Sequence, residues 1–122
     1  MNIVSKKELA NYKLKLELVK QTALQVQKDF QLFDLPIEFS GNPNNAYDEL
    51  QQQITPTIDR LLNLDSTRFF ALLYSIDVDE SKINDILFRN RESDPAHEIT
   101  ALVLEREFLK VLTRKLLSKG NK

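Results

Sequence analysis

From Leu9 to Phe33 the apolar residues Leu9, Tyr12, Leu16, Val19, Ala23, Val26, Phe30 and Phe33 alternate spacings of three and four without a miss. A strand turns successive side chains to opposite faces and cannot present such a row on one side, whereas an α-helix carries it as a single heptad seam. A helix over 5–33 is therefore expected. Leu14, Leu18 and Leu32 fall on the opposite side of the same wheel, so this helix is apolar on two faces. Unless its own bundle covers both, these three leucines form the expected interface with a second copy of the chain or with another protein.

Residues 34–46 break the period with two prolines and a glycine, which makes them the one long connection, with Ile37 and Phe39 free to tuck against the core. A second helix is expected over about 45–63, where Tyr47, Leu50, Ile54, Ile58, Leu61 and Leu62 keep phase through Pro56, kinking there rather than breaking. The most apolar stretch is 65–89. Phe69, Leu72, Leu73 and Ile76 share one helix face, and Ile83, Ile86 and Leu87 resume the spacing after a break. This reads as two short helices joined by a tight turn, a hub for the longer ones. Asp65 and Asp79 stand as N-caps, each with a hydrophobic staple, Leu64 to Phe69 and Val78 to Ile83. Asn90 to Ser93 form a polar connection. Asp94-Pro95 then supply a cap and a first-turn proline for a last helix running to about Ser118, ahead of Gly120.

At 122 residues the chain is expected to be a single domain, 1–122, able to bury roughly two-thirds of its unfolded surface without a disulfide or metal staple. It has no cysteine, which excludes disulfides and thiolate chemistry. The start of the chain has no leader-like apolar run, and no stretch approaches the roughly 18 uninterrupted apolar residues of a membrane span, so a cytoplasmic location is expected. Seventeen basic against eighteen acidic side chains leave a net charge of −1, which disfavours nucleic acid as a partner. Only two glycines and four prolines, among abundant Leu, Lys, Glu and Gln, complete the expectation of an all-α, up-and-down-like bundle of about five helices, long at both ends and shorter between.

Motifs that could carry chemistry are incomplete. Asp77-Val78-Asp79-Glu80-Ser81 mimics the opening of a calcium loop, but Lys82 stands where the turn needs glycine and Phe88 where a bidentate Glu belongs; helix capping explains both aspartates. His97-Glu98 lacks a second histidine, because Ala101 occupies the required position. No cofactor or metal is expected. Glu105 falls in the arc of Ala101, Leu109, Leu112 and Leu116, which makes it the candidate buried carboxylate, paired with Arg68, Arg60 or a tyrosine, or with Glu98 in a catalytic carboxylate pair. After Glu107 the last helix carries Lys110, Arg114, Lys115, Lys119 and Lys122 and no acid, as macrodipole complementarity alone would favour. Residues 65–89 also fit a helix-turn-helix, with Asp77 at the turn and Lys82 and Arg89 as the candidate DNA contacts. Leu73 occupies the close-contact position that usually holds alanine, and Glu80 and Asp85 offset the two cations.

The segments from Leu72 to Ile83 and from Leu104 to Lys115 resemble small uncharacterised all-helical proteins of Bacteroidetes-type bacteria. The resemblance covers the C-terminal half. It implies a cytoplasmic bacterial setting and no assigned activity, so it carries no functional residue over to this chain. The expectation is a non-enzymatic protein–protein interaction or assembly module, a homodimer or a binder of another protein through its first helix. A helix-turn-helix DNA-binding or transcription accessory protein is the alternative, and an enzyme using Glu105 the third reading.

Overall fold

The computed structural model describes residues 5–89 and 94–120, with side chains through residue 118. Five helices follow in order: α1 (Lys6–Gln31), α2 (Ala46–Leu64), α3 (Ser66–Ile76), α4 (Glu80–Phe88) and α5 (Pro95–Gly120). The fold is all-α, with the long helices at its two ends. No described helix is long and apolar enough to cross a membrane.

The boundaries follow local chemistry. Ser5, Asp65, Asp79 and Asp94 each accept a hydrogen bond from a free amide in the first turn of the following helix, those of Glu8, Arg68, Ser81 and Ala96. Two helices end alike. Asp34 and Asp77 take the left-handed backbone, at φ 58° and 69°, and the next amide reaches back, Leu35 to the Phe30 carbonyl and Val78 to that of Leu73. This is the closure usually given to glycine, here formed by aspartate, which tolerates that conformation better than most residues. Val78 packs half-buried beside Ile83 as the second staple requires. The first staple does not form: α2 continues to Leu64 itself, and that side chain stays exposed instead of covering Phe69.

The core takes residues from all five helices, but its centre is not the 65–89 pair. α5 packs against every other helix. Its buried stripe, Ala96, Ile99, Thr100, Val103, Leu104, Glu107 and Val111, runs the helical spacing of three and four between α1 and α2. Residues 65–89 are denser in apolar side chains, yet their two helices are short and cap the bundle. Thr55 bonds Thr100, Gln51 lies beside His97, and Tyr47 and Leu50 share a groove with Leu104 and Phe108, which seats α2 against α5. Asp29 meets Lys110 and Gln25 meets Arg114, which seats α1 against the same helix. The connection between α1 and α2 runs back past Phe30 and Gln27 of α1 and past Gln53 and then Glu49 of α2, so α1 and α2 run in the same direction, a departure from up-and-down order.

The connection 32–45 makes that departure feasible by travelling back along both helices. Gln27 donates to the Ile37 carbonyl. The Gln53 amide both accepts from the Glu38 N–H and donates to its carbonyl, each at 2.8 Å, and Glu49 takes the backbone and hydroxyl of Ser40. Leu35 and Ile37 are buried, and Phe39 packs on the same core. Pro56 stays within an uninterrupted α2 on its exposed side. The expected connection Asn90 to Ser93 lies outside the described residues.

Candidate functional site

Two features stand apart from ordinary packing: a buried polar cluster between α1 and α5, and an uncovered half of α1. In the first, Glu107 is fully buried. Lys110 Nζ lies 2.7 Å from Glu107 Oε1 and 2.8 Å from Asp29 Oδ2, with Gln25 donating to Asp29 Oδ1 at 2.9 Å and Arg114 donating to Gln25 at 2.6 Å. Apart from the Lys110 ammonium beside Oε1, the Glu107 oxygens have no hydrogen-bond partner, because two ionised carboxylates offer each other only lone pairs. A proton between Glu107 and Asp29 resolves this. Burial pushes the Glu107 carboxyl up to about 8, and its hydrogen bond with Asp29 adds to the rise. Burial would raise Asp29 too, but hydrogen bonds with Glu107, Lys110 and Gln25 outweigh it and hold Asp29 below its ordinary range. Burial likewise pulls Lys110 down, and bonds to both acids carry it above the usual lysine value.

Glu105, expected as the buried carboxylate, is exposed. Its arc with Ala101, Leu109, Leu112 and Leu116 lies off the buried stripe, and the residue that stripe takes inward is Glu107, four after Val103 and four before Val111. The proposed partners of Glu105 are engaged elsewhere or exposed: Arg68 donates to the Phe33 carbonyl, and Arg60 is exposed. Glu98 pairs with Arg89 at 2.6 Å, so no Glu98–Glu105 acid pair is formed from a buried Glu105. His97 is exposed beside Gln51, and among the described residues no group of three or more His, Asp or Glu is placed to hold a metal ion.

The helix-turn-helix contacts are now located. Asp77 does make the left-handed turn, but it pairs with Arg106 at 3.0 Å. Arg89 is held by Glu98, and exposed Lys82 shares its surroundings with Asp77, Asp79, Asp85 and Glu105. Of the basic residues near the end of α5, Lys110 and Arg114 are turned to α1.

The second feature concerns α1, where the expected interface of Leu14, Leu18 and Leu32 divides. Leu18 is only 8% exposed and belongs to the inner stripe with Thr22, Val26 and Asp29. Leu14 at 37% and Leu32 at 70% remain open, Leu32 because it follows the last residue of the helix. The uncovered apolar row is instead the N-terminal part of the heptad seam. Ala23, Val26 and Phe30 of that seam are buried, Val19 and Leu16 are half-buried, and Tyr12 and Leu9 are 52% and 46% exposed. Every residue from Ser5 to Lys15 is exposed, so these turns project beyond the body. At their root lies a groove of about 420 Å³ whose walls include Val19, Tyr47, Leu50, Leu104 and Phe108. The seam was legible from its spacing; where the chain stops covering it was not.

No protein-family model matches the chain, and neither a characterised protein nor a solved structure shows detectable similarity to it.

Proposed function

We propose that this protein is a non-enzymatic interaction module that takes a partner helix along the N-terminal half of α1. The observation that carries the reading is the continuation of the core seam through Val19, Leu16, Tyr12 and Leu9 past the end of the chain's own cover. A helix face with this narrow two-position row is what helix–helix pairing buries. The groove beside Val19 extends the apolar surface onto α2 and α5, toward the roughly 800 Å² per partner of a standard interface.

The test is affinity purification with the wild type and a Leu9→Ser/Tyr12→Ser variant side by side, followed by light scattering of what is retained. Support requires one defined protein, this chain or another, held at fixed stoichiometry by the wild type and lost from the variant, with helical circular dichroism unchanged. Equal retention by both sinks the reading.

A second reading, helix-turn-helix DNA binding through α3 and α4, has the left-handed Asp77 turn and the Asp79 cap in its favour. The acids around Lys82 and Arg89 weigh against it. The enzyme reading loses its premise with the exposure of Glu105.

A further inference from the structure

The charges bordering the uncovered part of α1 select among the helices that could lie on it. With Leu9 and Leu16 as one position of the heptad and Tyr12 and Val19 as the other, Lys6, Lys13 and Lys20 occupy one flank, one heptad apart, and Glu8 and Lys15 occupy the opposite flank. From Lys6 to Lys20 there are five lysines (Lys6, Lys7, Lys13, Lys15, Lys20) and two glutamates (Glu8, Glu17), a net of +3 in a chain whose total is −1. All five lysines are exposed, and none takes part in the ion pairs among the described residues.

Flanking positions of a heptad seam set partner choice and orientation. Two copies of this face pair poorly in either direction. In parallel register Glu8 of one copy meets Lys13 of the other, but Lys15 then meets Lys20. In antiparallel register the row Lys6, Lys13, Lys20 faces itself. A lipid surface fits less well on shape, because an interfacial helix uses a broad apolar face, whereas these four side chains span a narrow seam bordered on one side by Glu8.

Resting on the reading that α1 is an interaction face, we propose that its uncovered half docks an acidic amphipathic helix of another protein. That helix carries large apolar residues at the two seam positions and Glu or Asp at the flanks, opposite Lys13 and Lys20. Its end beside Val19 places one apolar side chain in the groove between α1, α2 and α5.

The experiment uses a synthetic three-heptad peptide with Leu at both seam positions and Glu at both flanks, its counterpart with Lys at the flanks, and vesicles of phosphatidylglycerol and phosphatidylcholine. Binding is followed by fluorescence anisotropy, or by co-sedimentation for vesicles. The Glu peptide is expected to bind at least tenfold more tightly than the Lys peptide and to weaken as salt rises from 0.1 to about 0.5 M, where exposed charges are screened within a few ångströms. Lys13→Glu/Lys20→Glu should reverse the order of the two peptides, and Leu9→Ser/Tyr12→Ser should abolish binding of both. All four substituted side chains are exposed, so folding is not at stake. Equal binding of the two peptides, or a dimer by light scattering that Tyr12→Ser dissolves, overturns the acidic partner while leaving α1 as the interface. Binding to vesicles alone, or to nothing in a way that depends on Leu9 and Tyr12, overturns both.

Discussion

Asp29 and Lys110 stand 81 positions apart in the chain and 2.8 Å apart in the fold. Their pair, with Glu107 on the other side of the same ammonium, fastens α1 to the central helix in a largely dry interface. Removing the lysine leaves two acids facing each other with no cation. Lys110→Ala is therefore expected to cost about 2–4 kcal/mol, somewhat under the figure for fully buried pairs because the side chain keeps some water. Urea midpoints measure this; a shift comparable to that of an exposed lysine would mean the cluster is solvated.

The same cluster predicts an unusual pH dependence. In the unfolded chain Glu107 loses its proton near its ordinary value of 4.5, while in the fold it keeps it to about 8. Between these values the folded state binds the extra proton, so raising pH disfavours folding. Stability should fall from about pH 5 to pH 8 and then level. Asp29 works in the opposite sense: its lowered folded value stabilises above the unfolded one and is lost as pH falls below about 4. Glu107→Gln keeps the shape and the donor without the titration, so its denaturation midpoint should be flat from pH 5 to 8 and exceed the wild type at pH 8. A flat wild-type profile would show that Glu107 is ionised in the fold.

Glu105 and Glu107 measure how far the sequence could be read. Both stand on α5 among apolar neighbours, and this helix carries leucines around most of its circumference, Leu102, Leu109, Leu112, Leu116 and Leu117 among them. Spacing alone leaves the phase of burial open; packing between α1 and α2 fixes it. Val103 and Ile99 one and two turns before Glu107, with Val111 one turn after, were the available clue. Caps were easier, because Asp65, Asp79 and Asp94 act within their own first turn. Glu105→Ala should change stability by no more than about 0.5 kcal/mol, as at other surface positions. Glu107→Ala, which empties a buried site and deprives Asp29 of its donor, should cost more than about 2 kcal/mol. Equal effects in thermal or urea unfolding would restore Glu105 as the inward residue.

Asp77 offers a test of backbone strain separate from charge. Its φ of 69° suits glycine, and its bond to Arg106 is largely exposed and so worth little. Asp77→Gly should be neutral or stabilising by up to about 1 kcal/mol. Asp77→Val places a β-branched residue where its Cβ crowds the following carbonyl and should destabilise by about 1–2 kcal/mol or more. Were glycine the more damaging of the two, the ion pair with Arg106 would be holding the α3–α4 turn.

Leu14 and Leu18, one helical turn apart, should respond oppositely to the same change. Leu18 lies at the edge of the inner stripe, four residues before Thr22 and eight before Val26, and its side chain is almost fully covered. A glutamate there must bring an unpaired charge against the α1 core. Leu18→Glu is expected to lower stability by about 3 kcal/mol or more, the loss of a buried leucine and the desolvation of a charge acting together. Leu14 is on the projecting turns, where a longer polar side chain meets only water, so Leu14→Glu should leave the unfolding midpoint within about 0.5 kcal/mol of the wild type. Helical circular dichroism with urea titration of the two single variants separates them. If both unfold the protein, the N-terminal half of α1 is covered by its own chain after all; if neither does, the body of the fold begins later along α1 than Leu18.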